Sequence, residues 1–377
     1  MRSGRIPPDP LWLPSDPFSD SHAAPQADYP GDDGGSVMAR RTEQPPARVP
    51  AVVMAGDGRA SRAIYGDSKV YLEVGGRPLV THVVTALQRV PEVSEVWVVG
   101  DAERLEAVLG KDEIQSELSK PLHVVGQFRN LYENCWQAYR RLLPGAGPDG
   151  RDPEEDDLDV QVLYASGDLP FVTPQEISQF IHRSQAQGCD YAAGVVTEEA
   201  MEAFYPTASG ADGIHMAYFN LREGRLRQSN LHLVRPARLV NRSYIEEMYE
   251  NRYQREFGSV VALTWRLLRA GGFRVVAYYG LMHLAGASDR LGLRRLADRI
   301  RHWIPIARVE AALSLMLQTS FRFVGTDLGG AAVDIDNEHD CDVARRRYDE
   351  WKKAQTERAE ALYGPLSLPP GAATSPP

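Results

Sequence analysis

One stretch in the first quarter of the chain combines residue types suited to binding phosphate. It reads PAVVMAGDGRASRAIYGDSKVYLEVGGRP and occupies residues 50–78. Gly56 and Gly58 follow an apolar run, and they let main-chain N–H groups approach an anion without a Cβ in the way. Three cations come next: Arg59, Arg62 and Lys69. This order predicts a phosphate-binding loop, although a strand followed by Gly-x-Gly is a weak signal by itself.

A second motif places a carboxylate where a ligand of an α/β sheet would bind. Residues 160–165 form an apolar run, and Asp168 follows within SGDLPFVTP. Ligands of open α/β sheets bind beyond the carboxyl ends of the strands. Mg²⁺ prefers one or two carboxylates together with phosphate oxygens and water. We therefore expect Asp168 to hold a hard cation against the phosphates of a nucleotide.

The third motif, AAVDIDNEHD at residues 331–340, carries four more carboxylates, of which Asp334 and Asp336 come first. We predict a short strand there, on which Asp334 and Asp336 point to one face because side chains alternate along a strand. Asn337 then caps a helix, and Glu338 and Asp340 lie in its first turn at the positive end of the helix dipole. Both aspartates therefore stand just before a helix N-terminus.

The elements that must position these motifs alternate between strands and helices. Apolar runs predict strands at residues 51–54, 70–74, 93–99, 123–125, 160–165 and 190–196. Helical spacing predicts helices at 79–89, 101–109, 131–142 and 175–184. This alternation predicts an α/β fold with a mostly parallel central sheet flanked by helices.

The later part of the chain departs from this rhythm. Residues 217–221 and 224–234 suggest a hairpin that presents Asn230 and His232, and helices are predicted at 246–268, 289–304, 306–319 and 340–362. We predict a domain over residues 49–345 with an insertion at about 200–326, followed by a C-terminal helix at 346–363. Residues 1–48 and 364–377 are rich in proline and small polar residues, so we expect them to be disordered.

Composition limits the class of protein. A formal net charge of −9 argues against a surface that coats nucleic acid. No apolar run reaches the roughly 18 residues of a membrane span. Three cysteines stand far apart in no metal-binding spacing, which favours a reduced, cytoplasmic location.

The segment MAGDGRASRAIYGDSKVYLEVGGRPLVTHVVTAL resembles the N-terminal signature of nucleotidyltransferases with the GT-A type fold, in particular the molybdenum-cofactor guanylyltransferase-like (MobA-like) branch. The residues with counterparts in that signature are Ala55, Gly56, Gly58, Arg62, Lys69, Gly76, Arg77 and Pro78. SGDLPFVTP and AAVDIDNEHD resemble the later motifs of the same branch. Asp57 stands where a second glycine is expected, and Ser68 replaces the proline before the lysine. The resemblance implies a Rossmann-like GT-A nucleotidyltransferase fold with an inserted, mostly helical acceptor region.

The resemblance also implies roles for particular residues. Asp168 and Asp336 would bind Mg²⁺, with Asp334 as an alternative or a supporting partner. Lys69 and Arg62 would be catalytic cations, and Arg59 is the other candidate for the arginine role. The residues implied in nucleotide binding are Ala55, Gly56, Asp57, Gly58, Arg59, Gln127 and Asn134. The residues implied in acceptor binding are Asn230, Arg252 and Arg255, and a solvated basic helix face is the competing interpretation of the two arginines.

The reaction implied is attack by an acceptor oxygen on the α-phosphorus of a nucleoside triphosphate, with pyrophosphate leaving. The acceptor would be a phosphorylated small molecule: a sugar phosphate, a polyol phosphate or a cofactor precursor. Two alternatives stay open. Asp57 in the phosphate loop is compatible with a non-catalytic protein that binds nucleotides or sugar nucleotides, and Asp-Ile-Asp at 334–336 is compatible with a glycosyltransferase of the same fold. Neither the base nor the oligomeric state follows from the sequence.

Overall fold

A computed structural model describes residues 46–56, 63–207, 210–241 and 273–365. The helix predicted at 246–268 lies outside these residues, as do the terminal segments 1–45 and 366–377. The same holds for six of the proposed site residues: Asp57, Gly58, Arg59, Arg62, Arg252 and Arg255.

The described strands are β1 Val49–Ala55, β2 Glu73–Val74, β3 Arg77–Pro78, β4 Val93–Gly100, β5 Leu122–Gly126, β6 Val162–Ser166, β7 Tyr191–Thr197, β8 Phe219–Leu221, β9 Gly224–Val234 and β10 Phe321–Thr326. The described α-helices are α1 Leu79–Gln88, α2 Ala102–Leu109, α3 Asp112–Gln115, α4 Leu131–Leu142, α5 Pro174–Gln187, α6 Glu198–Met201, α7 Phe273–Arg290, α8 Arg294–His302, α9 Ile306–Leu317 and α10 Glu338–Tyr363.

The main sheet has the strand order β10-β7-β9-β6-β1-β4-β5, and β8 pairs with β9. β1 is parallel to β4 and β6, β4 is parallel to β5, and β7 is parallel to β10. β9 alone among the described strands of this sheet runs the other way, antiparallel to β6, β7 and β8. The mostly parallel sheet flanked by helices is confirmed.

The chain reverses its direction of travel across the sheet at β1. It passes from β1 to β4 and β5 on one side, and then returns to β6 on the other side of β1. The Met54↔Ser166 pair aligns the ends of β1 and β6, and the Gly167 N–H donates to the Met54 carbonyl at 3.0 Å. Such switch points are where open α/β sheets form ligand crevices.

Both faces of β1 are buried, which explains its uninterrupted apolar sequence. Ala51 and Val53 pack in one core cluster with residues of α1 and α5. Val52 faces the opposite way and packs in a second cluster with Ala138 and Tyr139 of α4. Helices on both faces therefore hold the carboxyl ends of β1 and β6 in place.

Two of the predicted extended segments are wrong. Residues 70–74 begin as a 3₁₀ turn, Lys69–Tyr71, and only Glu73–Val74 is a strand. Residues 331–336 form no strand in the part of the chain described: a 3₁₀ turn, Gly330–Ala332, is followed by irregular chain. Side chains satisfy the backbone there instead of a ladder, because the Ala331 carbonyl accepts from Asn230 Nδ2 and the Ala332 carbonyl accepts from Arg227 Nε.

The helix predicted at 289–304 is divided. α7 ends at Arg290, and Gly292 adopts φ +76° before α8 begins at Arg294. Glycine takes this left-handed conformation without steric cost, so it allows the break. Across the described ranges, no helix is long and apolar enough to cross a membrane.

Candidate functional site

Three carboxylates from two distant parts of the chain meet beyond the ends of β1 and β6. Asp168 follows β6 directly, and Asp334 and Asp336 lie between the Gly330–Ala332 turn and α10. One oxygen from each of the three lies within 4.8 Å of the others. Ile335, between the last two, is buried in a core cluster, while the carboxylates on either side of it lie near Asp168. The structure thus brings together the two proposed metal ligands and the alternative one.

Lys69 joins two of these carboxylates. Its ammonium lies 2.5 Å from Asp168 Oδ2 and 3.0 Å from Asp336 Oδ1. Burial by itself would lower the pKa of the Lys69 ammonium, but the charges of Asp168 and Asp336 outweigh burial and raise that pKa well above its ordinary value. Lys69 is therefore a fixed positive charge at the site.

Asp168 is the most deeply buried of the three, with no exposed surface. Ser166 Oγ donates to its Oδ1. Its Oδ2 has the Lys69 ion pair but no aligned hydrogen bond from any described group. A buried carboxylate is stable only when it is paired or coordinated, so Asp168 depends on a cation in this crevice.

Asp334 is paired with Arg227 of β9, whose Nη2 donates to Asp334 Oδ1 at 2.8 Å. Burial, and then the carboxylates of Asp336 and Asp168, raise the pKa of Asp334 to about 6 despite the cations Arg227 and Lys69. Burial is the largest cause of this raised pKa, and the two neighbouring carboxylates add to it because like charges disfavour ionisation.

The turn before these aspartates is held against α5. Glu176 Oε2 accepts a hydrogen bond from the Ala331 N–H at 3.0 Å, and burial raises the pKa of Glu176 to about 8. Gly330 packs so closely that a Cβ there would lie 2.2 Å from the Phe171 carbonyl oxygen and 3.0 Å from Glu176 Oε2. The spacing between Asp168 and the other two carboxylates therefore depends on this contact.

Gly330→Ala is expected to lower the free energy of unfolding by about 1–3 kcal/mol, because the added methyl forces backbone apart in a packed region. It is also expected to lower activity, since the turn carries Asp334 and Asp336. Urea unfolding checks the first effect: the urea concentration at the midpoint is expected to fall, while the slope of the unfolding free energy against urea concentration stays the same. Gly325→Ala is the matched control, because a Cβ at Gly325 meets nothing within 4 Å. Equal midpoints for the two variants would contradict the prediction.

On the other side of β1, the proposed nucleotide-binding residues lie against the start of the glycine loop. A Cβ on Gly56 would be 3.0 Å from Asn134 Nδ2 and 3.4 Å from Gln127 Oε1. Asn134 Oδ1 accepts from the Phe128 N–H at 2.6 Å, which fixes its side chain at the N-terminal turn of α4. Ala55 is buried at the end of β1. These four residues are close together, and their role in binding a nucleotide stays a prediction.

A cavity of about 190 Å³ adjoins the carboxylates on the side of β9. Lys69, Asp334 and Asp336 line one end of it. The aromatic side chains among its other lining residues are Tyr132, Trp136, Tyr164, Tyr191 and His232. Asn230, proposed for acceptor binding, also lines this cavity. We call it the aromatic cavity.

Three residues of the site were not predicted from the sequence: Ser166, Glu176 and Arg227. Ser166 stands two residues before Asp168 at a strand end, which is a usable signal for a partner of that carboxylate. Arg227 had no such signal in the sequence, because strict alternation would put it on the opposite face of β9 from Asn230. The register of β7 and β9 shifts between Ala193 and Val195, and such irregularities re-aim side chains.

The residues present fit a hard divalent cation. Three carboxylates face two cations, so the cluster keeps an excess of negative charge, and all its donors are the oxygens that Mg²⁺ prefers. The buried Oδ2 of Asp168, which lacks an aligned hydrogen bond among the described groups, supports this interpretation. Asp168, Asp334 and Asp336 are the residues that would hold it.

A carboxylate cluster and a fixed lysine at the switch point of a mostly parallel sheet define an α/β protein that binds its ligand at the strand ends. The chain belongs to the MobA-like NTP transferase domain family, whose model matches residues 51–270, more than half of its length.

The chain is also similar to two curated 2-C-methyl-D-erythritol 4-phosphate cytidylyltransferases. The enzyme of Chlorobium luteolum is 25% identical over 138 residues, which are 36% of this chain and 54% of that protein. The enzyme of Prosthecochloris aestuarii is 23% identical over 142 residues, which are 37% of this chain and 55% of that protein. The match thus spans little more than half the length of these relatives.

Two solved structures are also similar to this chain. A hypothetical transferase from Thermus thermophilus is 26% identical with a TM-score of 0.47, and the match covers 78% of this chain and 99% of that one. A 4-diphosphocytidyl-2C-methyl-D-erythritol synthase from Anaerococcus prevotii is 11% identical with a TM-score of 0.40, over 80% and 99% of the two chains.

Proposed function

We propose that the protein is a Mg²⁺-dependent nucleotidyltransferase that transfers a nucleoside monophosphate group to a phosphorylated small molecule. The observation that carries the proposal is the meeting of Asp168, Asp334 and Asp336 with Lys69 at the switch point of the sheet. Family membership supports the same reaction class.

The proposed reaction forms one bond and breaks one. An oxygen of the acceptor phosphate attacks the α-phosphorus, and the bond from the α-phosphorus to the oxygen bridging it to the β-phosphorus breaks. The electron pair leaves with pyrophosphate. Because a phosphate oxygen is already ionised at neutral pH, the nucleophile needs no base. The residues must therefore align the two phosphates and neutralise their charge.

The described residues of the site have different roles in the proposed reaction. Lys69 supplies a fixed positive charge to the triphosphate. Arg227 and Glu176 hold the segment of Asp334 and Asp336 in place. Gln127 and Asn134 face the base or the phosphates beside Gly56. Mg²⁺, held by the carboxylates, would supply further charge neutralisation at the α-phosphate and the acceptor oxygen.

The proposal is tested by measuring pyrophosphate release with each of the four ribonucleoside triphosphates, with Mg²⁺ and a panel of phosphorylated acceptors. Release with one nucleotide and one acceptor class, abolished by EDTA and restored by Mg²⁺, is the expected result. Nucleotide binding by calorimetry without release in any combination would contradict transfer and favour the non-catalytic alternative.

A further inference from the structure

The aromatic cavity differs chemically along its length. At one end are the charges of Lys69, Asp334 and Asp336, and at the other are aromatic and aliphatic side chains that include Trp136 and Leu239. A ligand complementary to it therefore carries charge at one end and an apolar body at the other.

The apolar end is uncharged at neutral pH. Burial lowers the pKa of His232 to about 4, so its imidazole is neutral. Burial also raises the pKa of the Cys135 thiol to about 12 and that of the Tyr164 hydroxyl well above its ordinary value. No described side chain at this end therefore offers a charge to a second anionic group.

Four of the polar side chains around the cavity, those of Tyr164, Tyr191, His232 and Asn230, already take part in hydrogen bonds within the protein. Tyr164 Oη donates to the Cys135 carbonyl at 3.3 Å, and Tyr191 Oη lies 3.3 Å from His232 Nδ1. Asn230 Nδ2 donates to the Ala331 carbonyl at 3.4 Å. A ligand with many hydroxyls would leave some of them without partners, and burying an unpartnered hydroxyl is costly.

The volume of the cavity is sufficient for a ring. An apolar cavity of about 150 Å³ holds benzene, so a cavity of about 190 Å³ accommodates one substituted ring. The aromatic side chains favour a planar ring, because aromatic pairs gain attraction beyond the area they bury.

This cavity is distinct from the proposed base-binding residues. Gly56, Gln127 and Asn134 are all described, and none of them lines it. Among the described residues, Lys69, Ser166, Asp334 and Asp336 belong both to this cavity and to the proposed site of phosphoryl transfer. Its position is therefore that of the acceptor.

We propose that the acceptor is a phosphomonoester of a compact, uncharged, planar ring, and that a polyhydroxylated sugar or polyol phosphate is not the preferred substrate. The proposal rests on the proposed function, because it takes the charged end as the place of phosphoryl transfer. It narrows the substrate class of that site.

The test uses benzyl phosphate as the ring probe and glycerol 3-phosphate as the polyol probe, both titrated calorimetrically into the full chain with Mg²⁺. We expect benzyl phosphate to bind at least about tenfold more tightly, the equivalent of 1.4 kcal/mol. Trp136→Ala is expected to weaken benzyl phosphate binding about tenfold and to change glycerol 3-phosphate binding less than about twofold.

Two further variants separate this effect from misfolding. Trp136→Phe keeps an aromatic face and is expected to bind benzyl phosphate within about threefold of the parent. Trp303→Ala removes a tryptophan that is 65% exposed and outside the cavity, and it is expected to leave both affinities unchanged. Equal binding of the two probes, or an equal loss for both in Trp136→Ala, would overturn the proposal.

The nucleotide provides the last control. If Trp136→Ala weakened the binding of a nucleoside triphosphate instead of benzyl phosphate, the cavity would hold the base and the proposal would fail. Pyrophosphate release with glycerol 3-phosphate, together with no binding of benzyl phosphate, would overturn this inference and leave the proposed function standing. Tight binding of benzyl phosphate without any release would support the ring site and contradict the proposed function.

Discussion

Asp168→Asn is expected to lower kcat for pyrophosphate release by at least about 10²- to 10³-fold, the range measured when one preorganised charge-stabilising group is removed. Asparagine keeps the shape and can still accept from Ser166 Oγ. What it removes is the negative charge of the one carboxylate in the cluster with no exposed surface. The fold is therefore expected to remain while the affinity for the metal falls.

The measurement is a titration of activity with Mg²⁺ beside thermal unfolding. The Mg²⁺ concentration for half-maximal activity is expected to rise in Asp168→Asn, and unfolding is expected to stay cooperative. Asp212→Asn is the matched control: it makes the same chemical change at a carboxylate that is 61% exposed and paired with Arg346. Parent-like turnover of Asp168→Asn would remove the basis of the proposed mechanism.

Lys69→Gln is expected to lower kcat by a similar factor, about 10²- to 10³-fold, but for a different reason. The ammonium between Asp168 and Asp336 is the cation nearest to the buried carboxylate. Glutamine cannot neutralise charge on the triphosphate. Loss of the ammonium also leaves the carboxylate cluster more negative. The Mg²⁺ concentration for half-maximal activity is therefore expected to stay equal or to fall.

The Mg²⁺ concentration for half-maximal activity is expected to rise in Asp168→Asn but not in Lys69→Gln. This difference distinguishes the role of the carboxylate from that of the lysine. Lys353→Gln is the control for loss of a lysine charge, because this lysine is 75% exposed and pairs with Glu357 on the surface of α10. If Lys69→Gln raised the Mg²⁺ requirement as Asp168→Asn does, Lys69 would be supporting the metal site and not the triphosphate. An unchanged kcat would exclude Lys69 from the reaction.

The sheet and the position of Asp168 were predictable because they depend on local patterns. β1 is apolar throughout because both of its faces are buried, and α4 begins at the predicted residue because Asn130 caps it. Asp168 follows a short apolar strand, and in a parallel sheet the end of such a strand is also an end of the ligand crevice. Each inference needed only a few neighbouring residues.

The parts that failed depend on contacts between distant segments. Residues 331–336 have the apolar pattern of a strand, but they cross the end of the sheet and bond to Arg227, Asn230 and Glu176. The register shift between Ala193 and Val195 falls at Gly194 of β7, but residues 225–234 of the facing strand contain no glycine that would mark where β9 changes its alternation. Arg227 could therefore not be placed beside Asp334 from the sequence.

The ion pair between Lys69 and Asp336 joins residues 267 positions apart. During synthesis the ribosome must deliver almost the whole folded portion before this pair can form, and closing so large a loop makes assembly of the crevice a late event in folding. Nascent chains that end before β10 would contain the glycine loop and Asp168 yet hold no complete acidic cluster. The complete acidic cluster would thus form only after the segment that carries Asp334 and Asp336 has been synthesised.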